Sequence, residues 1–311
     1  MRVLVTGGSG RIGSRIMDVL AASGHEPIDF DVIPPKKPFG FLKGTITDKE
    51  QVQSSMKGID AVIHLAAFPT EASIPTYPEG WEVNCTGTFN VFNSAVDKGI
   101  SKIVYASSIC ASGILTWSTQ RSSIKYFPVN EEHSSDPQNL YGVSKLISEK
   151  LAKMYSKRSK TVFTGLRIAT VWLDEADGKL AESSRKLYEK YAKDPRSVLN
   201  TQQGSPSVNV NSVKDLTWQY VALTDAATAF RLALEKKDMA SGIYNIGAID
   251  TCSDWSSLKL AKTFYPDVPI RDSEAFTQNP KKALWDISKA QKELSYKPEF
   301  NWARIVKSLK Q

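Results

Sequence analysis

The sequence is poor in cysteine and has no long apolar run. Its three cysteines, Cys85, Cys110 and Cys252, are widely spaced, odd in number and form no Cys-x-x-Cys pair. That excludes a disulfide framework and argues against a thiolate metal site, so no metal is expected. Free thiols in a reducing cytoplasm fit best. No stretch approaches the roughly 20 apolar residues of a spanning helix, so no membrane partner is expected. The opening MRVLVTGG enters strand-like sequence at once, without the pattern of a secretory leader. A nucleic-acid footprint is also missing. The net charge is +7, but the lysines are scattered, densest at Lys281, Lys282, Lys289, Lys292 and Lys297, with no interleaved aromatics and no finger motif. A solvated basic surface is the reading, and an anionic substrate or cofactor could use the excess.

What is present is alternation. RVLVT (2–6) is an apolar β-rich run, followed by GGSGRIG and by SRIMDVLAASG with helical spacing closed by Gly24. EPIDFD ends a second strand at Asp31, and DAVIHLAA (60–67) predicts a third. A helix over 81–99, a strand over 102–108, a helix over 141–157 and a strand over 161–169 follow. Strands alternating with helices predict an α/β fold, a doubly wound parallel sheet covered on both faces. Past Ala169 the alternation weakens. Polar residues 197–214 predict a loop, 220–236 a short strand and helix, and 242–248 a late strand. The expected organisation is a Rossmann-type nucleotide-binding domain over 1–169, to which 218–248 return. Residues 170–217 and 249–311 form a smaller substrate-binding lobe.

Two short stretches carry chemistry. VTGGSGRIG sets Gly7, Gly10 and Gly13 between a strand and a helix. Glycines there allow a tight turn and close approach of a pyrophosphate to a helix N-terminus. Asp31, at the end of the next strand, is placed to accept from ribose hydroxyls and to repel a 2′-phosphate, which favours NAD over NADP. Asp29, two residues earlier, could share that role. The second stretch, YGVSK, sets Tyr141 and Lys145 four positions apart, on one helix face. An ammonium beside a phenol favours the phenolate, which a tyrosine of ordinary pKa ~10 needs in order to act as a base near neutrality.

In order and spacing, TGGSGRIG, Asp31, HLAA (64–67), NCTGT (84–88), YASS (105–108), YGVSK (141–145) and LRIATVW (166–172) resemble the extended short-chain dehydrogenase/reductases, the NAD-dependent epimerase/dehydratase group. YVALTDAATAFRLAL and YNIGA extend the resemblance over nearly the whole chain. It implies that Gly7, Gly10, Arg11, Ile12 and Gly13 surround the pyrophosphate of NAD, with Ile46 against the adenine. Leu65, Ala66 and Ala67 would line the cofactor cleft, with Asn84 and Ser107 near it and Ile168 and Ala169 beside the nicotinamide. Ser108, Tyr141 and Lys145 would form the catalytic triad, and Lys145 would also grip the ribose. Phe68, Ser108, Ile109, Tyr141 and Thr170 are the expected substrate-facing positions. His64 reads as structural, and a homodimer through the helices at 84–98 and 141–157 is expected.

Departures from the family pattern narrow the chemistry. Thr45 stands where an Asp commonly lies near the adenine. Ile109 and Cys110 stand where 4,6-dehydratases carry an Asp-Glu pair, which argues against water elimination. Thr170 and, in a looser alignment, Trp218 occupy places where sugar-nucleotide epimerases carry an Asn and an Arg. The reading is an NAD-dependent dehydrogenase of a sugar or sugar acid, similar to the aldose and hexuronate branch. The alternatives are a sugar-nucleotide epimerase and a non-catalytic NAD-binding sensor, although binding alone has no use for the triad.

Overall fold

The computed structural model describes residues 1–114, 124–172 and 217–309. The loop expected over 197–214, and most of the lobe segment 170–217, lie outside the described residues. Strands β1 (Arg2–Thr6), β2 (Glu26–Asp31), β3 (Gly40–Lys43), β4 (Ala61–His64), β5 (Lys102–Ser108) and β6 (Val162–Ile168) are followed by β7 (Thr170–Trp172), β8 (Tyr220–Ala222) and β9 (Gly242–Ile246). Among the described residues, seven of them make one sheet in the order β3-β2-β1-β4-β5-β6-β9. Every pairing in it is parallel. β7 and β8 pair in parallel beside it.

Period-2 alternation sends side chains to both faces, and both are buried. Val3 and Val5 pack with Ile16, Met17 and Leu20 of α1 (Arg11–Ala22) and with Phe230 and Ala233 of α6 (Leu223–Glu235). Leu4, Ile28 and Ile103 face the opposite layer, with Val52 of α2 (Lys49–Ser55) and Phe92 of α4 (Thr88–Asp97). Phe92 sits edge-on to Tyr105 and Phe163, with ring centroids 5.2 and 5.1 Å apart. Among the described residues no helix is long and apolar enough to cross a membrane.

Three elements differ from the pattern-based expectation. The first helix begins at Arg11, not Ser14, so Gly13 lies in its first turn. The helix expected over 81–99 is three pieces: α3 (Tyr77–Trp81), a π-helical turn over Glu82–Gly87, and α4. Thr88 Oγ1 donates to the Asn84 carbonyl at 2.7 Å there, and one wide turn inserted in an α-helix leaves the apolar periodicity almost unchanged. Third, β4 stops at His64. Leu65 N and Ala66 N both donate to Thr6 O at 3.0 Å, which swings the chain out of the strand beside Gly7.

α5 (Leu140–Ser156) is the helix that positions the site. Asn139 caps it, its side chain accepting from Gly142 N at 2.7 Å. Tyr141, Lys145 and Glu149 recur every four residues along one face. Glu149 is buried and bound to Arg167 of β6 through two contacts of 2.8 Å, and it accepts from Ser107 Oγ at 2.6 Å. Beyond β9, α7 (Ser257–Phe264), α8 (Ser273–Gln278), α9 (Ser288–Leu294) and α10 (Trp302–Leu309) complete the chain. The stretch before α5 runs beside them, with Phe127 bridging to Ile270 and Val129 to Trp285.

Glu149→Ala strands a buried guanidinium. Urea denaturation is expected to show a loss of about 3–5 kcal/mol, and a loss below about 1 kcal/mol would contradict this account of how α5 is anchored.

Candidate active site

The strand order reverses between β1 and β4, where Thr6 pairs with His64. A crevice must open at such a switch point, beyond the carboxyl ends of the strands. A cavity of about 1090 Å³ lies there, at the upper end of ordinary ligand sites. Every site residue expected from the sequence lines it except Asn84 and the alternative Asp29.

At one end the glycine loop forms a cradle. Gly7 has φ of +76°, and a Cβ on it would lie 2.8 Å from Ala66 N. A Cβ on Gly13 would strike the carbonyl of Gly7 and come within 2.8 Å of Gly8 Cα. α1 has neither a side-chain cap nor an acidic residue in its first turn, so its first amides are left for an anion. Asp31 lines the same end, where its carboxylate accepts from Ser9 N at 3.2 Å and Ile33 N at 3.3 Å. Asp29 does not share that place. It is fully buried beneath the loop and accepts from Ser9 Oγ at 2.7 Å, and burial raises its pKa. These features fit a dinucleotide: orphan amides for the diphosphate, a carboxylate for the ribose, and glycines where any side chain would fill the space.

At the other end Ser108, Tyr141 and Lys145 converge. Ser108 closes β5, and its Oγ accepts from Cys110 N at 3.1 Å. Lys145 is buried and donates to Ala106 O at 3.1 Å, with Nζ 5.6 Å from the centre of the Tyr141 ring. Burial brings its pKa down to about 8. Burial pushes the Tyr141 phenol well above its ordinary value, against an opposing hydrogen bond with Ser108. The expectation that Lys145 holds this phenol below its ordinary value is therefore corrected. In the protein by itself the cost of burying a phenolate dominates, while one of the three Lys145 N–H groups goes to the Ala106 carbonyl.

Two other expectations change in detail. Asn84 is buried behind the cavity: its Oδ1 accepts from Phe68 N at 2.8 Å, and its Nδ2 donates to Phe68 O at 3.1 Å and Ser144 Oγ at 3.3 Å. It shapes the wall instead of touching the space. Ser107 gives its hydroxyl to Glu149, so only the remainder of that residue faces the cavity. Of the two positions that depart from the epimerase pattern, Trp218 is fully buried against Phe264, ring centroids 5.0 Å apart, and does not line the cavity, whereas Thr170 does. His64 lies between Thr6 Oγ1 (2.7 Å) and Thr88 Oγ1 (3.0 Å), and burial lowers its pKa to about 3, so it is neutral. Thr88 spends its own proton on Asn84, which assigns the His64 proton to Nε2. Cys110 lines the cavity as a thiol, raised to about 11 by burial. Sequence reasoning passed over Thr70, Glu71, Val83 and Val171, which also line the cavity. Thr70 and Glu71 lie at the start of a short 3-10 turn, Val83 in the π-helical turn and Val171 in the short strand β7, and no residue type singles them out.

A glycine cradle and an uncapped helix at a switch point define a dinucleotide-binding α/β protein. The model of the NAD dependent epimerase/dehydratase family matches residues 3–247, and the chain belongs to that family; its cofactor is NAD. The chain is 26% identical to a UDP-glucose 4-epimerase of Lactobacillus helveticus, over 96% of this chain and 92% of that protein. It is 32% identical to an NAD-dependent glucose-6-phosphate dehydrogenase of Haloferax volcanii, over 54% of this chain and 68% of that one. A short-chain dehydrogenase/reductase superfamily protein of Agrobacterium tumefaciens, crystallised with bound NAD, superposes with a TM-score of 0.71 at 19% identity, over 99% of this chain and 96% of that one.

Gly13→Ala is expected to weaken NADH binding at least about tenfold in a fluorescence titration, because the new Cβ displaces the Gly7 carbonyl. Unchanged affinity would place the diphosphate elsewhere.

Proposed function

We propose that the protein is an NAD-dependent oxidoreductase that moves a hydride between NAD and a hydroxyl-bearing carbon of a sugar or sugar acid. The observation that carries this reading is the convergence of Ser108, Tyr141 and Lys145 in the cavity whose far end is the glycine cradle. Bound NAD supplies the hydride acceptor. Ser108 Oγ holds the substrate oxygen and Tyr141 takes its proton. Lys145 steadies the phenolate and the nicotinamide ribose. The raised pKa of Tyr141 leaves it ready to donate in the reductive direction. In oxidation, the positive charge of Lys145 and of the oxidised cofactor together must offset the burial that raises it. The Asp31 carboxylate supports NAD over NADP. The segments after Ile168 outside the main sheet are proposed to supply the substrate lobe, and three buried free cysteines suit a reducing cytoplasm.

A second reading, a sugar-nucleotide epimerase, is favoured by the 26% identity to a UDP-glucose 4-epimerase along almost the whole chain. One assay separates the two: NAD with a panel of free sugars, sugar acids and UDP-sugars, followed at the absorbance of NADH and by chromatography of the sugars. Accumulating NADH supports the dehydrogenase, and interconversion without it supports the epimerase. Tyr141→Phe is expected to lower turnover of whichever substrate is found by about 10²–10⁴-fold with NADH affinity retained, and undiminished turnover would overturn the mechanism.

We also propose a homodimer through α3, α4 and α5. Tyr77, Trp81 and Phe89 expose 68, 49 and 42% of their area there, an unusual concentration of aromatic surface. Light scattering at micromolar concentration is expected to give twice the 34.4 kDa chain mass, and a monomer would remove the proposal.

A further inference from the structure

Glu71 begins a short 3-10 turn, Glu71–Ser73, in the stretch between β4 and α3, and it lines the cavity. Its Oε2 accepts from the backbone amide of Tyr141 at 2.7 Å, and its Oε1 has no hydrogen-bond partner among the described residues. The carboxylate is held firmly. Asn84 clasps the Phe68 backbone on one side of the turn, and Thr70 and Ser73 cap each other across it. On the other side, a Cβ at Gly80 would lie 2.6 Å from Ile74 Cγ2 and 2.9 Å from Leu140 Cδ2, so α3, the turn and the start of α5 are packed without slack. Glu71 cannot swing away without unpairing an amide in the first turn of α5, where a negative charge is also favoured by the helix dipole.

The charged side chains that line the cavity, among the described residues, are Arg11, Asp31, Glu71 and Lys145. Arg11 and Asp31 belong to the glycine-cradle end, and the Lys145 ammonium is engaged by Ala106 O. Near Tyr141 the negatively charged group on the cavity wall, among the described residues, is therefore the Glu71 carboxylate, with one oxygen not engaged by the protein. Such an oxygen is a strong acceptor for a hydroxyl proton and repels a second carboxylate.

We propose that Glu71 determines specificity: fixed through the Tyr141 amide, it receives a hydroxyl of a neutral polyhydroxylated substrate and disfavours a sugar acid presenting its carboxylate there. This rests on the sugar oxidoreductase reading and narrows it from sugars and sugar acids to neutral sugars.

The test compares wild type, Glu71→Gln and Glu71→Ala on matched pairs: D-glucose with D-glucuronate, and D-galactose with D-galacturonate. Turnover is read with NAD, sugar binding by calorimetry on the NAD-loaded protein, and NADH affinity by fluorescence. Wild type is expected to prefer the neutral member by about tenfold or more in kcat/KM. Glu71→Gln keeps an amide oxygen for Tyr141 N but loses the charge. It is expected to raise KM for the neutral member and to narrow the preference about tenfold, with NADH affinity within about twofold of wild type. Glu71→Ala also lowers kcat, because the Tyr141 amide loses its partner. A purely structural Glu71 would lower kcat for both members alike and leave their ratio unmoved. Equal use of both members by wild type, or an unchanged ratio in Glu71→Gln, overturns the proposal and leaves the oxidoreductase reading standing. A wild-type protein that neither binds nor turns over any panel member overturns both.

Discussion

The site depends on the buried ion pair between Glu149 and Arg167. Both side chains are only 4% exposed, so their charges were taken out of water at a cost that the two 2.8 Å contacts and the Ser107 hydroxyl must offset. The arrangement specifies geometry. Glu149 lies on the same face of α5 as Tyr141 and Lys145, and its partners lie on β6 and β5. A helix rotated by one residue, about 100°, would pull the carboxylate from Arg167 and carry Tyr141 away from Ser108. Ser107, which anchors Glu149, immediately precedes Ser108, so one network sets both the strand end and the helix.

A second network ties this helix to the cofactor end. Thr6 contacts His64, His64 contacts Thr88, and Thr88 bonds to Asn84. Asn84 then holds Ser144, whose hydroxyl returns to the Tyr141 carbonyl at 2.7 Å. The π-helical turn at Glu82–Gly87 makes room for this chain by turning the Asn84 amide toward Phe68 and α5. The strand that launches the glycine loop and the helix that carries Tyr141 are thus joined through neutral, buried hydrogen bonds. None of these groups titrates near neutrality, since burial holds His64 near 3.

The electrostatics of the site run toward neutrality on both members of the Tyr–Lys pair. Burial raises the phenol and lowers the ammonium, each toward its uncharged form. A titratable group kept in that condition responds strongly to any charge brought beside it, because the surroundings screen little. Charge entering the cavity therefore acts on Tyr141 with little screening. Glu71, on the same wall and bonded to the Tyr141 amide, adds the one negative charge near that pair among the described lining residues.

The sequence by itself determined the sheet, the glycine cradle and the grouping of Ser108, Tyr141 and Lys145 at one end of the cavity. Period-2 apolar strands separated by helical spacing leave few alternatives to a parallel sheet. Gly7, Gly10, Gly13, Asp31, Ser108, Tyr141 and Lys145 were legible because each chemistry depends on residue type at a short spacing, and a turn or one helix face turns that spacing directly into geometry. The tertiary structure alone decided the rest. Asp29 and Asp31 look equivalent on one strand face, yet packing under the glycine loop buries one and opens the other. Asn84 sits among cofactor-like residues, but a π-turn invisible to apolar periodicity turns it into the wall. Lys145 was expected to lower the Tyr141 pKa, and burial reversed the sign, because desolvation depends on everything packed around a group and not on its neighbours in the chain. Glu71 has no motif at all. It becomes part of the site only because folding brings a turn from one end of β4 against an amide seventy residues later.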